Sequence, residues 1–366
     1  MAQFDWPPRP IPGIDAALRD VTSKKATFRR NAAIALGTAG QDRREEAIRA
    51  LGRLIDDADR EVRIEAVYAA TTLAAAALAP RIREILSSED PDLRAASLEF
   101  LGRQGDRSDA ERISRLAEAD QEPSTRCIAI EALAEMDQGA CRAACRRVIG
   151  DSRSGEDETR TAIAALGPMA EGDDVAAITG LLGDPRRRVS IQAASALADI
   201  GDAAGIDVLW RASTNPPDDD ARIAALEALC RIRDDRVDSL ARSRHGRIFA
   251  GRDERLYWTG ILARSGNADA LRRLKEAATG RDTRLAALAL RISGLCAMKD
   301  MIAILENAAC GRAGEDLVTE SIEALALTRR PEAVGALERV SAAASGGPHA
   351  GHAEAALEEA RRWPAS

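Results

Sequence analysis

Aromatic side chains are scarce in this chain, at 3% of 366 residues, and histidine occurs three times. The β-branched and aromatic runs expected of strands are missing, which argues against a sheet-built fold. Six cysteines in so long a chain are too sparse for a disulfide scaffold, so reduced thiols are expected. No apolar run approaches the roughly 18 residues that suggest a membrane span. The first residues, MAQFDWPPRP, lack a basic segment followed by an apolar one, so no signal peptide is expected and a cytoplasmic location is. Broad positive charge is also absent. The formal net charge is −7, against the basic balance of a nucleic-acid binder. The phosphate-binding pattern GxxxxGK[ST], the nucleophile elbow GxSxG and the zinc pattern HExxH do not occur. Neither catalytic residues nor a cofactor or metal is expected.

What is present is alanine, leucine, arginine and glutamate, the composition of helices. It is arranged as a repeated phrase. DREVRIEAVYAA begins at Asp59, DPDLRAASLEFLG at Asp90, EPSTRCIAIEALA at Glu122 and DDARIAALEALC at Asp219. The arginine falls at Arg29, Arg63, Arg94, Arg126, Arg160, Arg222, Arg255 and Arg284, with Ser190 and Val318 in the same column. Successive spacings lie between 29 and 34 residues. Three residues after each arginine stands a small or apolar residue (Ala32, Ala66, Ser97, Ala129), and a second follows one turn later. That is the stripe of an amphipathic helix. The punctuation AGQD (39–42), QGD (104–106), EGDD (171–174), IGD (200–202) and SGN (265–267) closes it. Glycine there supplies a left-handed helix end, and the Asp or Asn caps the next helix.

These phrases, together with DPRRRVSIQAASALADIG, resemble the HEAT-repeat family in its short bacterial form, known also from phycobilisome lyase subunits. The resemblance runs from about Gly13 to Arg362 and implies an all-α, right-handed α-solenoid of about eleven helical hairpins. The expected division is an extended proline-rich cap over 1–12, the repeat solenoid over 13–344, and a flexible joint with a capping helix over 345–366. Trp6 and Ile11 are expected to pack down on the first hairpin, and the same segment can be read as a proline-rich ligand.

The resemblance also implies that second helices line a concave face. The position five after each column residue, read as pointing into that groove, holds Ile34, Tyr68, Glu99, Glu131, Ala165, Ser195, Glu227, Gly260, Ala289 and Glu323. Four are Glu and none is basic, and Glu65 and Glu320 add to the surface. An acidic concave row favours a basic or amphipathic protein segment, with Ile34 and Tyr68 as apolar anchors. The same residues also read as ordinary helix formers on a wet surface. First helices, facing outward, carry Arg43, Arg44, Arg49, Arg53, Arg142, Arg146, Arg147, Arg272, Arg273 and Lys275.

The functional expectation is a non-enzymatic scaffold or adaptor for a protein or peptide partner. Two alternatives accompany it. The resemblance implies a bilin lyase-type or chaperone-like role. The segment 241–258 offers an anion or nucleic-acid site through Arg242, Arg244, Arg247, Arg252, Tyr257 and Trp258, because bases stack on aromatics set among cations. The arginine column itself reads either as a ladder of structural ion pairs or as a row that clamps phosphates. Cys127, Cys141 and Cys145 read as small core residues, since a zinc site needs a fourth ligand. No His is followed by Glu, which excludes the di-iron pattern of deoxyhypusine hydroxylase. His349 and His352 have no carboxylate cluster beside them.

Overall fold

The computed structural model describes residues 12–245, 251–311 and 314–361, and every regular element among them is helical. The segment WPPRPI with Trp6 and Ile11, and the terminal Trp363, lie outside the described residues. Contacts divide the chain into two compact units, Met1–Ala177 and Ile178–Ser366.

Unit 1 alternates first and second helices. They are α1 (Ile14–Asp20) with α2 (Ala26–Leu36), α3 (Arg44–Leu54) with α4 (Arg60–Thr72), and α5 (Ala79–Ile85) with α6 (Pro91–Gln104). Then come α7 (Ala110–Ala119) with α8 (Pro123–Met136) and α9 (Gln138–Gly150) with α10 (Glu156–Leu166). The division falls within α11 (Asp173–Gly180).

Unit 2 continues with α12 (Arg187–Asp199), then α13 (Ile206–Thr214) with α14 (Asp219–Arg231), and α15 (Asp235–His245) with α16 (Arg252–Arg264). It ends with α17 (Ala268–Ala278) and α18 (Thr283–Leu295), α19 (Ile302–Cys310) and α20 (Glu315–Leu327), α21 (Pro331–Ala344) and α22 (Ala350–Ala360). This is the α-solenoid that the repeat predicts. Residues 345–349 form the turn joining α21 to α22.

Within each unit, successive second helices pack side by side: α2 on α4, α4 on α6, α6 on α8 and α8 on α10, then α12 through α22 in the same manner. Small residues permit the approach. A methyl group added at Gly102 would lie 2.9 Å from Ala132 Cα, and one at Gly37 would lie 3.1 Å from Ala69 Cα. Gly294 is tighter still, since its methyl would meet Ala324 O at 2.5 Å and Ala324 Cα at 2.8 Å. Alanines of these interfaces, such as Ala32, Ala66, Ala129, Ala193 and Ala225, are fully buried.

The punctuation works largely as read. Gly105, Gly172, Gly201 and Gly266 have positive φ, and Asp106 and Asn267 accept backbone N–H groups of the following helices. Gly40 is the exception, because α2 closes through a right-handed Gly37. Ala74, Ala297 and Arg329 hold the left-handed position after α4, α18 and α20 without being glycine.

Candidate interaction surface

Helix caps set the register of the second helices. In α2, α4, α6, α8, α14 and α16 the repeat arginine is the fourth residue after the cap, as with Asp59 and Arg63 or Asp218 and Arg222. Two helices depart from this. α10 is capped at Gly155, which puts Thr159 in the column and Arg160 one residue beyond it. α18 is capped by Asp282, which puts Ala286 in the column and Arg284 two residues before it. The outward position in these helices is therefore Ala164 and Arg291, not Ala165 and Ala289. Ala289 is fully buried. Aligning on arginine concealed Arg291, a cation in a row read as having none. The signal lay in RDTRL, where the capping acid precedes the arginine by two residues instead of four.

The in-register arginines form a ladder in unit 1. Arg29 Nε and Nη2 donate to Asp57 at 2.6 and 2.7 Å, and Nη1 donates to Ser23 O at 2.7 Å. Arg94 repeats this on Asp120, at 2.7 and 2.6 Å, and on Ser88 O. Arg126 donates to Glu158 at 2.6 Å and to Asp120 O at 2.5 Å. Arg63 donates to Asp57 O at 2.8 Å. Each guanidinium thus ties the turn of its own hairpin, or that turn and the next. The Arg29 hydrogen bond holds the Asp57 carboxyl below its ordinary range, and Arg126 does the same for Glu158. Burial opposes the Asp120 charge most strongly, yet Arg94, the Glu122 amide and the Arg126 charge together outweigh it, and the carboxyl is also lowered. The ladder leaves these arginines engaged by carboxylates or turn carbonyls rather than open to phosphate.

Outside the ladder, three expected groove residues and one further acid gather on the second-helix face of unit 1. Tyr68 on α4 is 40% exposed, Glu131 on α8 is exposed and Glu99 on α6 is half-buried. Burial raises the Glu131 carboxyl, and the charges of Glu135 and Glu99 raise it further. Partial burial together with Glu99, Asp92 and Glu65 raises the Tyr68 hydroxyl. The mutual repulsion marks a negative surface with few compensating cations. Arg103 is the cation nearest at hand, 3.1 Å from Glu99. Glu65 is held by Arg30 at 2.8 Å, and Ile34 is half-buried. Glu135 was not singled out from the sequence, although it stands one turn after Glu131.

The same face of unit 2 is different. Arg291 Nε donates to Glu227 at 2.7 Å, and the guanidinium lies 3.7 Å from Glu320. The Tyr257 hydroxyl donates to Glu227 at 3.4 Å. Glu227 and Glu320 are therefore partly offset by one shared cation, and Glu323 stands exposed beside them. Gly260 explains the geometry. A methyl there would lie 2.1 Å from Ile292 Cγ2, so α18 closes over α16, and α14 touches α18 directly.

Two aromatics of the 241–258 segment are corrected outright. Tyr257 and Trp258 are 3% and 0% exposed, so neither can stack on a ligand. Trp258 packs edge-on against Trp210, with ring centres 6.1 Å apart, and Arg244 lies over the Trp210 ring at 5.0 Å. Arg252 lies 3.8 Å from Asp282, Arg242 is exposed, and Arg247 falls outside the described residues. Most of the first-helix arginines named above are also paired. Arg43 bonds Asp15 at 2.7 Å, Arg146 bonds Asp174 at 2.5 Å, and Arg272 bonds Asp269 and Glu276.

Cys141 and Cys145 are buried with their sulfurs 3.8 Å apart, and Cys127 is half-buried. Among the described residues no group of three or more His, Cys, Asp or Glu could hold a metal ion. No described helix is long and apolar enough to cross a membrane.

The sequence model described as HEAT repeats matches residues 14–101, 50–134 and 152–230, more than half of the chain. No curated protein matches it. Among solved structures, the Escherichia coli protein YibA is similar at 16% identity and a TM-score of 0.42, over 82% of this chain and 97% of that one. Kap121p bound to Ste12p is similar at 10% identity and a TM-score of 0.43, over 94% of this chain and 44% of that one. The complex of CpcE and CpcF of phycocyanin lyase from Nostoc sp. PCC7120 is similar at 16% identity and a TM-score of 0.35. That match covers 98% of this chain and 100% of that chain.

Proposed function

The chain belongs to the HEAT-repeat family, and from that premise we propose that it is a non-enzymatic scaffold whose unit 1 binds a basic or amphipathic protein segment. The observation that carries the reading is the grouping of exposed Tyr68 with Glu99, Glu131 and Glu135 on three adjacent second helices. An exposed ring set among repelling carboxylates offers one apolar anchor within a field that attracts cations. Exposed ion pairs contribute less than about 1 kcal/mol each, so affinity requires several contacts and the anchor together. In unit 2 the Glu227–Arg291–Glu320 cluster is partly offset by its cation and its tyrosine, Tyr257, is buried, so that face lacks the exposed anchor that Tyr68 gives unit 1. Free thiols at all six cysteines suit a cytoplasmic setting.

The test is affinity capture from native lysate with the wild type and with Glu99→Lys, Glu131→Lys, Glu135→Lys combined, both first shown equally helical by circular dichroism. The reading expects proteins captured by the wild type and lost from the variant. A second pair of captures uses Tyr68→Ala, which weakens the same partners while leaving the charge intact. Identical captures from wild type and the charge-reversed variant refute the surface.

A further inference from the structure

Several arginines of unit 2 sit on the edge where second helices end, and two of them have an evident structural purpose. Arg264 Nη1 donates to Cys230 O at 2.7 Å, and Arg330 Nε donates to Ala297 O at 2.5 Å. Each thereby satisfies a carbonyl at the end of a preceding second helix. Arg231 is paired with Asp199 at 3.0 Å. Arg233 and Arg329 are otherwise. Neither guanidinium makes a hydrogen bond or ion pair with a described residue, although Arg329 lies near enough to Asp199 to favour its charge. Both line one hollow of about 620 Å³ with Arg330, Thr328 and Glu332. Glu332 is bound by Lys299 at 2.9 Å, Asp234 by Arg236 and Asp238 by Arg264, which leaves the cations in excess.

We propose that this hollow is a binding site for a phosphate-class oxyanion, held by Arg233, Arg329 and Arg330 between the turn after α14 and the turn that joins α20 to α21. Two observations converge. Like charges are packed together here: partial burial of the otherwise exposed Arg233, with Arg330 and Arg264 beside it, holds its guanidinium below the ordinary arginine range. Arg329 keeps a long charged side chain at a left-handed position, φ 46°, where the equivalent turns after α6, α12 and α16 use glycine and those after α4 and α18 use alanine. Such a conformation is costly for any residue bearing Cβ. Guanidinium forks match the oxygens of a phosphate in pairs, and the dianion offsets cations that the protein alone leaves unbalanced.

Inorganic phosphate is titrated into the full-length protein, followed by calorimetry and by melting temperature, with sodium chloride of equal ionic strength as the control. Phosphate is expected to raise the melting temperature of the wild type beyond chloride. Arg233→Gln weakens binding about tenfold or more. Arg329→Gly removes a cation and supplies the glycine found after α6, α12 and α16. It should melt higher than the wild type without ligand and respond less to phosphate, a pair of effects that misfolding cannot produce. A phosphoserine peptide bound more tightly than inorganic phosphate assigns the anion to a modified protein chain; equal affinities assign it to free phosphate. The site is refuted if phosphate acts no differently from chloride up to about 50 mM. Equal responses in wild type, Arg233→Gln and Arg329→Gly refute it as well.

Discussion

Replacing Gly294 by alanine is the sharpest check on how the second helices pack. In a helix interior the change ordinarily stabilises by about 0.5–1 kcal/mol through lost backbone freedom in the unfolded chain. Here the new methyl would stand 2.5 Å from Ala324 O, 2.8 Å from Ala324 Cα and 3.0 Å from Ala324 C. All three are backbone atoms of α20, so no rotamer relieves the contact and the two helices must part by most of an ångström. Overpacking of this kind costs about 1–3 kcal/mol, with backbone obstacles toward the upper end. The net expectation is a loss of about 1–2 kcal/mol. Gly335 in α21 is the matched control, because its methyl would meet nothing closer than Arg339 Nη1 at 3.5 Å. Gly335→Ala should gain about 0.5–1 kcal/mol. Urea unfolding followed by helicity reads both. If Gly294→Ala is as stable as the wild type, or the two variants move together, the close approach of α18 and α20 is wrong.

Other expectations follow from the turns and the ladder. Ala297→Gly should raise stability by about 1 kcal/mol, because it relieves a φ of 49°, and a thermal melt checks it. Arg94→Ala should cost about 3 kcal/mol, since it strands Asp120, whose side chain is 3% exposed; Asp120→Asn in the same background should recover part of the loss. Acid should unfold the protein through the same carboxyls. Asp57, Asp120 and Glu158 titrate lower in the folded chain than in the unfolded one. Their stabilisation is therefore complete above the unfolded values near 4 and is lost as the pH falls through the lower folded values. Glu131, Glu320 and Asp199 are raised and act in the opposite sense, so protonating them relieves the folded state first. Melting temperatures between pH 7 and pH 3 should accordingly show a shallow upper limb and a steep lower one, with Asp57→Asn flattening the lower limb.

The fold was legible because it is written many times over. One helix pair says little, but a stripe, a glycine and a capping acid recurring at one period leave few alternatives. The ladder was legible for the same reason, as Arg29, Arg94 and Arg126 show. Register within a repeat was harder to see. Arginine is the most visible letter of the phrase, yet the cap decides which face a residue takes, and in α10 and α18 the two disagree. Trp258 could have been placed from the pattern alone. It stands three residues after Arg255, in the column that holds Ala32, Ala66, Ala129 and Ala225 elsewhere. A bulky ring in an alanine column is a core residue with unusual room, and Trp210 fills the rest of that room. The spread of charge over the second-helix face was not legible, because the contact between Arg291 and Glu227 joins residues 64 apart. No local pattern encodes a pair at that distance.

That contact changes how cooperative unit 2 is. A stack in which each hairpin touches only its neighbours behaves as a one-dimensional chain with nearest-neighbour coupling, and it can fray at any boundary. Glu227 and Arg291 join α14 to α18 past the intervening hairpin of α15 and α16, which Gly260 lets them span. This adds a next-nearest-neighbour coupling at one place. A boundary between ordered and melted hairpins cannot fall on either side of α16 without also breaking the Glu227–Arg291 pair. The three hairpins from α13 to α18 consequently share a single opening free energy, and hydrogen exchange should report them as one block while the hairpins toward α22 open in turn.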